Sequence, residues 1–369
     1  MSTEVDVRDA AVEAAMAARA GLGGEAADLA LVFVAGEHLG EPALSLEGVH
    51  EGLAPAALIG CGASGVVGGR REIEGSTAVS VWAASFANGA SAEAFHATAA
   101  ADLPDLTGAG GAVLLPDPMT FPTDDVLRDV PAGVPVLGGL ASARTPGGGG
   151  ILFLNEDVLS VGAVGARFEG LELLPCVSQG ATPVGPELTV TAADGNVIRE
   201  LAGRPALPKL REVIYELPPE ERAMLSRGLL IGLVVDGNKP DYVQGDFLVR
   251  GLLGADPEEG ALAVGADVVA GQVVRLHARD AASADRDLRE ALELRLAALG
   301  SRPPAGALVF TCNGRGRSMF GVPDHDASTI GDQLADTPAA GFFAAGEIGP
   351  VGGESFLHTF TATLALFSA

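Results

Sequence analysis

The sequence has very few lysines and few cations of any kind. Lysine occurs only at Lys209 and Lys239, and 23 lysines and arginines stand against 48 acidic residues, which gives a net charge of −25. Nucleic acid and anionic membrane both require a basic face on the protein that binds them. We therefore expect neither nucleic acid nor a membrane surface among the partners of this protein.

Cysteines and long apolar runs are also scarce. Cys61, Cys176 and Cys312 are widely spaced and form no CxxC motif, which indicates a reducing compartment. No apolar run reaches the roughly 18 residues that a membrane span requires. The first twenty residues are charged and helix-patterned and lack the apolar core of a signal peptide. We expect a cytoplasmic protein without membrane insertion.

Familiar catalytic signatures are absent. The sequence contains no GxSxG, no HExxH and no Walker motif, and its six histidines are not at metal-ligand spacing. The glycine-rich GCGASGVVGG follows a strand, as a dinucleotide loop would, but the next segment reads as strand rather than as the helix that holds a pyrophosphate. We therefore expect no enzyme, no metal, no cofactor and no nucleotide fold.

What the sequence does contain is a recurring unit of strand, helix, strand and glycine loop. The units begin near residues 28, 111 and 306, and ALVFVAG of the first resembles ALVFTCNG of the last. An internal duplication explains these matches, and a bias toward glycine and alanine explains them as well. With 369 residues, the chain has the length of two domains.

Two hairpins interrupt these units. ILFLNEDVLSVGAVGARFEG turns at Asn155, and GDFLVRGLLGADPEEGALAVG turns at Asp256. Hairpins favour antiparallel strands, so we expect an α/β fold with mixed sheets in two α/β domains. The proline-containing RPALPKL at 204–210 is the best candidate for a linker. The predicted division is an N-terminal helix at 1–27 and domains at 28–207 and 208–369. In VVRLHARD, alternation predicts that Arg275 and His277 lie on a solvated face.

The candidate chemistry is concentrated near the C-terminus. In CNGRGRSMFG, glycines let amide groups converge beside Arg315, which suits an anion or carboxylate, although a turn with solvated arginines explains the pattern equally well. GFFAAGEIGPVGGESFLHTF carries Glu347, Glu354 and His358 in apolar surroundings. His358 between phenylalanines is more typical of a core residue than of a ligand.

Glu347 and Arg315 follow neighbouring apolar strands. We predict that they face one cavity, where the arginine binds a ligand carboxylate and the glutamate binds an ammonium group. The alternative is that the two pair with each other to neutralise a buried charge. Cys312 is either a reactive thiol beside arginine or, more simply, a buried structural cysteine.

These motifs resemble the FIST family of bacterial sensory domains. TCNGRG, QGDFLVRGLLG and GFFAAGEIGPVGG followed by FLHTFTATLALF resemble its C-terminal half, and LIGCGASG, PVLGGLA and NEDVLSVGAVG resemble its N-terminal half. Where family members commonly carry an acidic residue, this chain has Val66, which moves the predicted site to the C-terminal loops. The ligand-binding candidates are Ser64, Cys312, Asn313, Arg315, Glu347, Glu354 and His358.

The resemblance implies an intracellular receptor for a small ligand, with amino acids or small carboxylates as the ligand class. It also implies coupling to a kinase, cyclase or chemotaxis module. The helix before residue 21 is too short for such a module, so we expect a separate signalling protein as partner. Two alternatives remain open: a haem-binding nitric-oxide-type sensor with His358 as axial ligand, and an enzyme with Cys312 as nucleophile and His358 as base.

Overall fold

The computed structural model describes residues 1–145, 148–226, 228–243, 245–300, 304–335 and 337–368. Up to residue 178 the elements are α1 (Val7–Gly21), β1 (Leu29–Ala35), α2 (Pro42–Leu53), β2 (Ala57–Ala63), β3 (Gly65–Gly68), β4 (Arg71–Glu74), β5 (Ala78–Ala84), β6 (Ser91–Ala97), β7 (Gly111–Pro116), α3 (Thr123–Arg128), β8 (Val136–Gly139), β9 (Leu152–Leu154), β10 (Asp157–Leu159), β11 (Ala163–Glu169) and β12 (Leu173–Ser178). Short 3-10 helices lie at Gly36–Gly40 and Ala100–Asp102.

The middle of the chain contains β13 (Thr182–Asp194), β14 (Val197–Leu201), β15 (Arg204–Pro205), α4 (Ala206–Glu216), α5 (Pro219–Leu225), β16 (Leu229–Val234), β17 (Phe247–Asp256), β18 (Ala261–Val264), β19 (Val273–Ala278) and α6 (Ala281–Leu299). The last elements are β20 (Gly306–Cys312), α7 (Gly316–Phe320), α8 (His325–Leu334), β21 (Ala339–Ala344), β22 (Glu347–Val351), β23 (Glu354–His358) and β24 (Ala362–Phe367). The prediction of an α/β fold with mixed sheets is confirmed.

The chain forms two compact units, and the first of them is discontinuous in sequence. Unit 1 contains residues 1–177 and 289–369, and unit 2 contains residues 178–288. The predicted division near residue 208 does not coincide with a boundary of these units. The predicted linker at 204–210 is wrong as a local structure, because it forms strand β15 and the start of helix α4.

Unit 1 contains the same strand arrangement three times. In each copy, two parallel strands joined by a helical connection are followed by a hairpin and by a final strand that pairs antiparallel with the first. Repeat A runs from β1 to β5, repeat B from β7 to β11 and repeat C from β20 to β24. The recurrence seen in the sequence therefore corresponds to three repeats of one topology.

Each repeat gives its hairpin to another repeat. The hairpin of repeat A pairs through β3 with β21, that of repeat B through β9 with β2, and that of repeat C through β22 with β8. The three exchanges close a ring, A onto C, C onto B and B onto A. This ring explains why the two ends of the chain belong to one compact unit.

A glycine occupies the same register position in every repeat. It is Gly60 on β2, Gly138 on β8 and Gly341 on β21. A Cβ added there would lie 2.0, 1.9 and 1.7 Å, respectively, from a carbonyl oxygen of the parallel neighbour strand. Real Cβ atoms do not approach so closely, so the glycine is a requirement of the strand pairing in each repeat.

The core of unit 1 lies among the inner faces of the three sheets. Phe33 of β1, Leu115 of β7 and Phe310 of β20 belong to one buried cluster, and alternate residues of the same strands point away from it. On its other face β1 packs against the helices α1 and α2, and β7 packs against α3. The strand ends of the three repeats are thereby held by a common apolar core.

Unit 2 is a ring of antiparallel strands. Its order is β13-β19-β16-β17-β18-β14-β15, and β13 also pairs with β14, which closes six of these strands on one another. Register shifts in β13 and β17 supply the local bends that closure requires. Both hairpins predicted from the sequence are present, one in each unit.

His277 of β19 contradicts the prediction of a solvated face. It is 2% exposed, its ring packs edge-on against Phe247, and its Nδ1 donates to the Arg275 carbonyl at 3.1 Å. A Cβ on Gly232 would lie 2.3 Å from this ring. Burial lowers the pKa of His277 from its usual value to about 4. On the face of β19 that carries the buried His277, Arg275 is half-buried, so alternation alone does not separate a wet face from a dry one.

The buried imidazole makes unit 2 sensitive to acid. The pKa of His277 is depressed on folding, so the unfolded chain binds the proton more tightly and stability falls as the pH decreases from about 6.5 to about 4. We expect His277→Gln to weaken this loss, measured as the urea midpoint against pH. His50→Gln, at an imidazole that bonds the Asn155 carbonyl near the surface, is the control. Equal pH profiles in wild type and His277→Gln would contradict the assignment.

Candidate functional site

Polar residues converge where the parallel strands β20 and β21 end. The register places Cys312 opposite Ala344, and the Asn313 N–H donates to the Ala344 carbonyl at 2.9 Å. Side chains from repeats A and B join them there through the exchanged hairpins and the loops that lead to them. The strand-end cluster is the name we give to six residues: Ser64, Ser142, Cys312, Asn313, Glu347 and Thr361.

Glu347 is the most deeply buried acid of this cluster. It opens β22 opposite His358, has no exposed surface, and accepts from the N–H and Oγ1 of Thr361 at 2.9 and 2.8 Å through Oε2. Its Oε1 has no hydrogen-bond donor among the residues that the structure describes. A buried acid with one oxygen unsatisfied is costly for the fold.

Burial raises the pKa of Glu347 well above its usual range. The bonds from Thr361, the neighbouring thiol of Cys312 and the charge of Arg315 act in the opposite direction and favour the ionised acid. At neutral pH the acid is therefore mainly protonated. A cation placed beside Glu347 would favour its ionised form.

The thiol of Cys312 lies beside this acid. It is 7% exposed, and its Sγ accepts from the N–H groups of Gly314 and Phe360 at 3.4 and 3.2 Å. Burial and the Glu347 charge raise the pKa of Cys312 to about 12. The nucleophile in thiol chemistry is the thiolate, so this cysteine is a poor nucleophile at neutral pH. The geometry favours the structural interpretation of Cys312 over the enzymatic one.

The outer edge of the cluster reaches solvent. Ser64 and Asn313 are exposed, and the Ser64 hydroxyl donates to Asn313 Oδ1 at 2.5 Å. Ser142 accepts from the Ser64 N–H at 2.9 Å and donates to the Phe343 carbonyl. The cluster therefore extends from an exposed hydroxyl–amide pair to a buried acid.

Ser142 was missed by the sequence analysis, although the repeat could have identified it. Four residues after the repeat glycines come Ser64 in A, Ser142 in B and Ala345 in C. Six residues after them come Val66, Arg144 and Glu347. The acid absent at Val66 is thus present at the matching position of repeat C. In repeat B this position holds Arg144, which pairs with the buried Asp117 at 2.6 Å.

Arg315 is held inside the protein by an acid that the sequence analysis did not consider. Its side chain is fully buried, and its Nε and Nη2 donate to the two oxygens of Asp326 at 2.6 and 2.9 Å. Thr311 and His325 also bond Asp326. Burial alone would raise the pKa of Asp326, but the charge and hydrogen bonds of Arg315 hold it well below its usual range. The role of Arg315 as a carboxylate ligand stays a prediction.

Two acids of repeat A also reach repeat C. Glu74 Oε1 accepts from the Arg317 N–H and Glu72 Oε1 from the Ala327 N–H, both at 2.9 Å. Burial, with the nearby charge of Asp326, raises the pKa of Glu72 to about 7. The alternation of residues along the edge strand β4 does not predict these bonds between repeats, because the residue that donates to Glu74 lies about 240 residues away in sequence.

Glu354 and His358 lie outside the cluster's polar contacts. Glu354 is exposed at the turn of the β22–β23 hairpin, at the end opposite to Glu347. His358 is fully buried, and its Nε2 donates to the Gly349 carbonyl at 2.9 Å. The alternative of an axial haem ligand at His358 stays a prediction. Phe360 has φ of 65° and is 41% exposed, because β23 ends at His358.

Among the residues that the structure describes, no group of three or more histidine, cysteine and acidic side chains is arranged to hold a metal ion. No helix in the described ranges is both long and apolar enough to cross a membrane.

Comparisons with known proteins agree with this architecture. The family model of the FIST N domain matches residues 28–204, and that of the FIST C domain matches residues 206–350. "Uncharacterized protein Rv0628c" of Mycobacterium tuberculosis is 48% identical over 385 residues, covering 100% of this chain and 98% of its own. "Uncharacterized protein Mb0898c" of Mycobacterium bovis is 48% identical over 383 residues, covering 99% and 97%.

These matches identify both halves that the motifs indicated, in the order in which the sequence shows them. FIST domains are associated with sensing in signal transduction rather than with catalysis. The three repeats draw strands from both matched segments into unit 1. The chain belongs to the FIST family and carries its N domain followed by its C domain.

Proposed function

We propose that this protein is a sensory receptor that binds a small ligand at the strand-end cluster. The observation that carries the proposal is Glu347, a fully buried acid with one oxygen lacking a donor, in the same cluster as the exposed pair of Ser64 and Asn313. Such an arrangement lowers stability unless something binds there, and unsatisfied buried groups concentrate at functional sites.

The chemistry of the cluster suits an amino acid. A ligand ammonium group would satisfy Glu347 Oε1 and would favour the ionised acid, as the charge of Arg315 already does in part. The NH2 group of Asn313, whose Oδ1 accepts from Ser64, is a donor that can meet the ligand carboxylate at the exposed edge. Because free Glu347 is mainly protonated at neutral pH, binding of an ammonium group would release a proton from it.

Phe360 would control access to the buried part. Its ring packs on Gly314, where a Cβ would lie 2.5 Å from the ring, and its N–H donates to Cys312 Sγ. The residue has a positive φ in a short turn between β23 and β24. A change of this turn would open a path from Asn313 to Glu347 without disturbing the strands. The same movement would give a separate signalling protein, such as a kinase or cyclase, a ligand-dependent surface to read.

The test is a thermal-shift screen of the full chain with the twenty amino acids and small carboxylates. A ligand at a hundred times its Kd stabilises the native state by about 2.7 kcal/mol. We expect at least one amino acid to stabilise the wild type and to lose this effect in Glu347→Gln. Calorimetry at pH 7 in two buffers of different ionisation enthalpy should then show proton release by the wild type.

Glu354→Gln is the matched control, because it removes an exposed acid from the other end of the same hairpin. It should respond to the ligand as the wild type does. Failure of every compound to stabilise the wild type would contradict the proposal. So would a ligand that stabilises Glu347→Gln and the wild type equally.

A further inference from the structure

The final strands of the three repeats differ in what lies at their outer edge. β11 has β6 on that edge, and β24 has β12. In both cases the added strand comes from the segment that follows a final strand in the chain, β6 after β5 and β12 after β11. The final strand of repeat A, β5, ends its sheet, whose order is β10-β9-β2-β1-β5.

Within the described residues, one short backbone pairing occupies the edge of β5. Ser2 and Val79 exchange backbone hydrogen bonds of 2.8 and 3.0 Å as an isolated antiparallel bridge. Outward-facing backbone groups alternate along a strand, so those of Val81 and Ala83 also point away from β1. Val79 bonds Ser2, but neither Val81 nor Ala83 forms an outward backbone hydrogen bond to another described element.

A cleft of about 980 Å³ runs along this part of β5. Its lining is largely apolar and includes Leu22 at the end of α1, Leu171 and Phe86. Trp82 and Phe367 stack at 4.7 Å between ring centres and also line it. A strand rises about 3.3 Å per residue, so pairing with Val81 and Ala83 takes a segment of four to six residues.

We propose that the edge of β5 binds an extended segment of a partner protein as an added antiparallel strand. The repeat symmetry supports a strand as occupant, because a strand fills the matching place in repeats B and C. The apolar lining calls for apolar side chains at alternate positions of the segment. The net charge of −25 and Glu25 at the cleft favour lysine or arginine around it. This proposal is independent of the ligand at the strand-end cluster.

The experiment selects decapeptides from a random phage-displayed library on the full-length protein and measures the enriched peptides by fluorescence polarisation. We expect alternating apolar residues with flanking lysine or arginine. N-methylation of single peptide amides should weaken binding at least tenfold at every second position and have little effect at the positions between. Absence of enriched peptides, or methylation effects without this two-residue period, would overturn strand addition.

Variants of the protein test the location. Val81→Pro removes one outward N–H at a strand edge, where proline is tolerated, and should weaken peptide binding at least tenfold while circular dichroism stays that of the wild type. Val81→Ala keeps the amide and should retain binding within a few fold. If Val81→Pro is misfolded, the methylation series on the wild type decides alone. A wild-type dimer in size-exclusion chromatography that becomes monomeric in Val81→Pro would assign the edge to a second copy of the chain and overturn the partner proposal.

Discussion

Replacing Arg315 by methionine should lower the free energy of unfolding by about 3–5 kcal/mol, because it leaves the buried Asp326 carboxylate without the guanidinium that pairs with it. The side chains of Arg315 and Asp326 are 0% and 1% exposed and share two hydrogen bonds. Without the guanidinium, burial would dominate and raise the pKa of Asp326. Urea denaturation followed by circular dichroism measures the loss.

Two further variants separate the buried pair from charge effects in general. Arg128→Met removes an exposed arginine whose partner is Asp125 and should leave the urea midpoint nearly unchanged. The double variant Arg315→Met with Asp326→Leu removes both buried charges and should recover much of the lost stability. A single variant within about 1 kcal/mol of the wild type would show that the pair is not essential to the fold.

The buried pair was only half predictable from the sequence. The glycines and arginines of CNGRGR correctly indicated a loop at a strand end. The apolar residues around Glu347 indicated that this acid is buried. Asp326 was missed because an acid in the first turn of a helix is common for electrostatic reasons that need no partner. Nothing in local periodicity shows that the helix turns this acid inward onto Arg315.

The strands themselves were largely predictable, and their exchange was not. Apolar runs bounded by glycine identified β1, β2, β7, β8, β20 and β21, because a buried parallel strand has a composition of its own. The glycine-rich segment after Ala63 was expected to be a loop, and most of it instead forms β3. Which strand a hairpin joins depends on contacts between repeats that lie far apart in sequence, and single-sequence patterns carry no record of such contacts.

The second large effect is expected at the repeat glycines, which lie in the parallel strand pairs. Gly341→Ala should destabilise unit 1 by about 3 kcal/mol or more, at the upper end of what overpacking costs, since its Cβ would lie 1.7 Å from the Val309 carbonyl oxygen. The neighbours on both sides of β21 are strands, β20 and β3, so neither can move away without loss of hydrogen bonds. Thermal and urea denaturation of the purified variant measure the effect.

Gly251→Ala is the matched control for the repeat glycines. Gly251 also lies in a strand, β17, but nothing stands within 4 Å of the position its Cβ would take. It should keep wild-type stability or gain a little, because alanine restricts the unfolded chain more than glycine does. Gly60→Ala and Gly138→Ala should behave like Gly341→Ala, since each would place a Cβ about 2 Å from a carbonyl oxygen of the parallel neighbour strand. If only one of the three substitutions is destabilising, the glycines do not serve a common function, and the three repeats share a topology without sharing the packing that holds their parallel strands together.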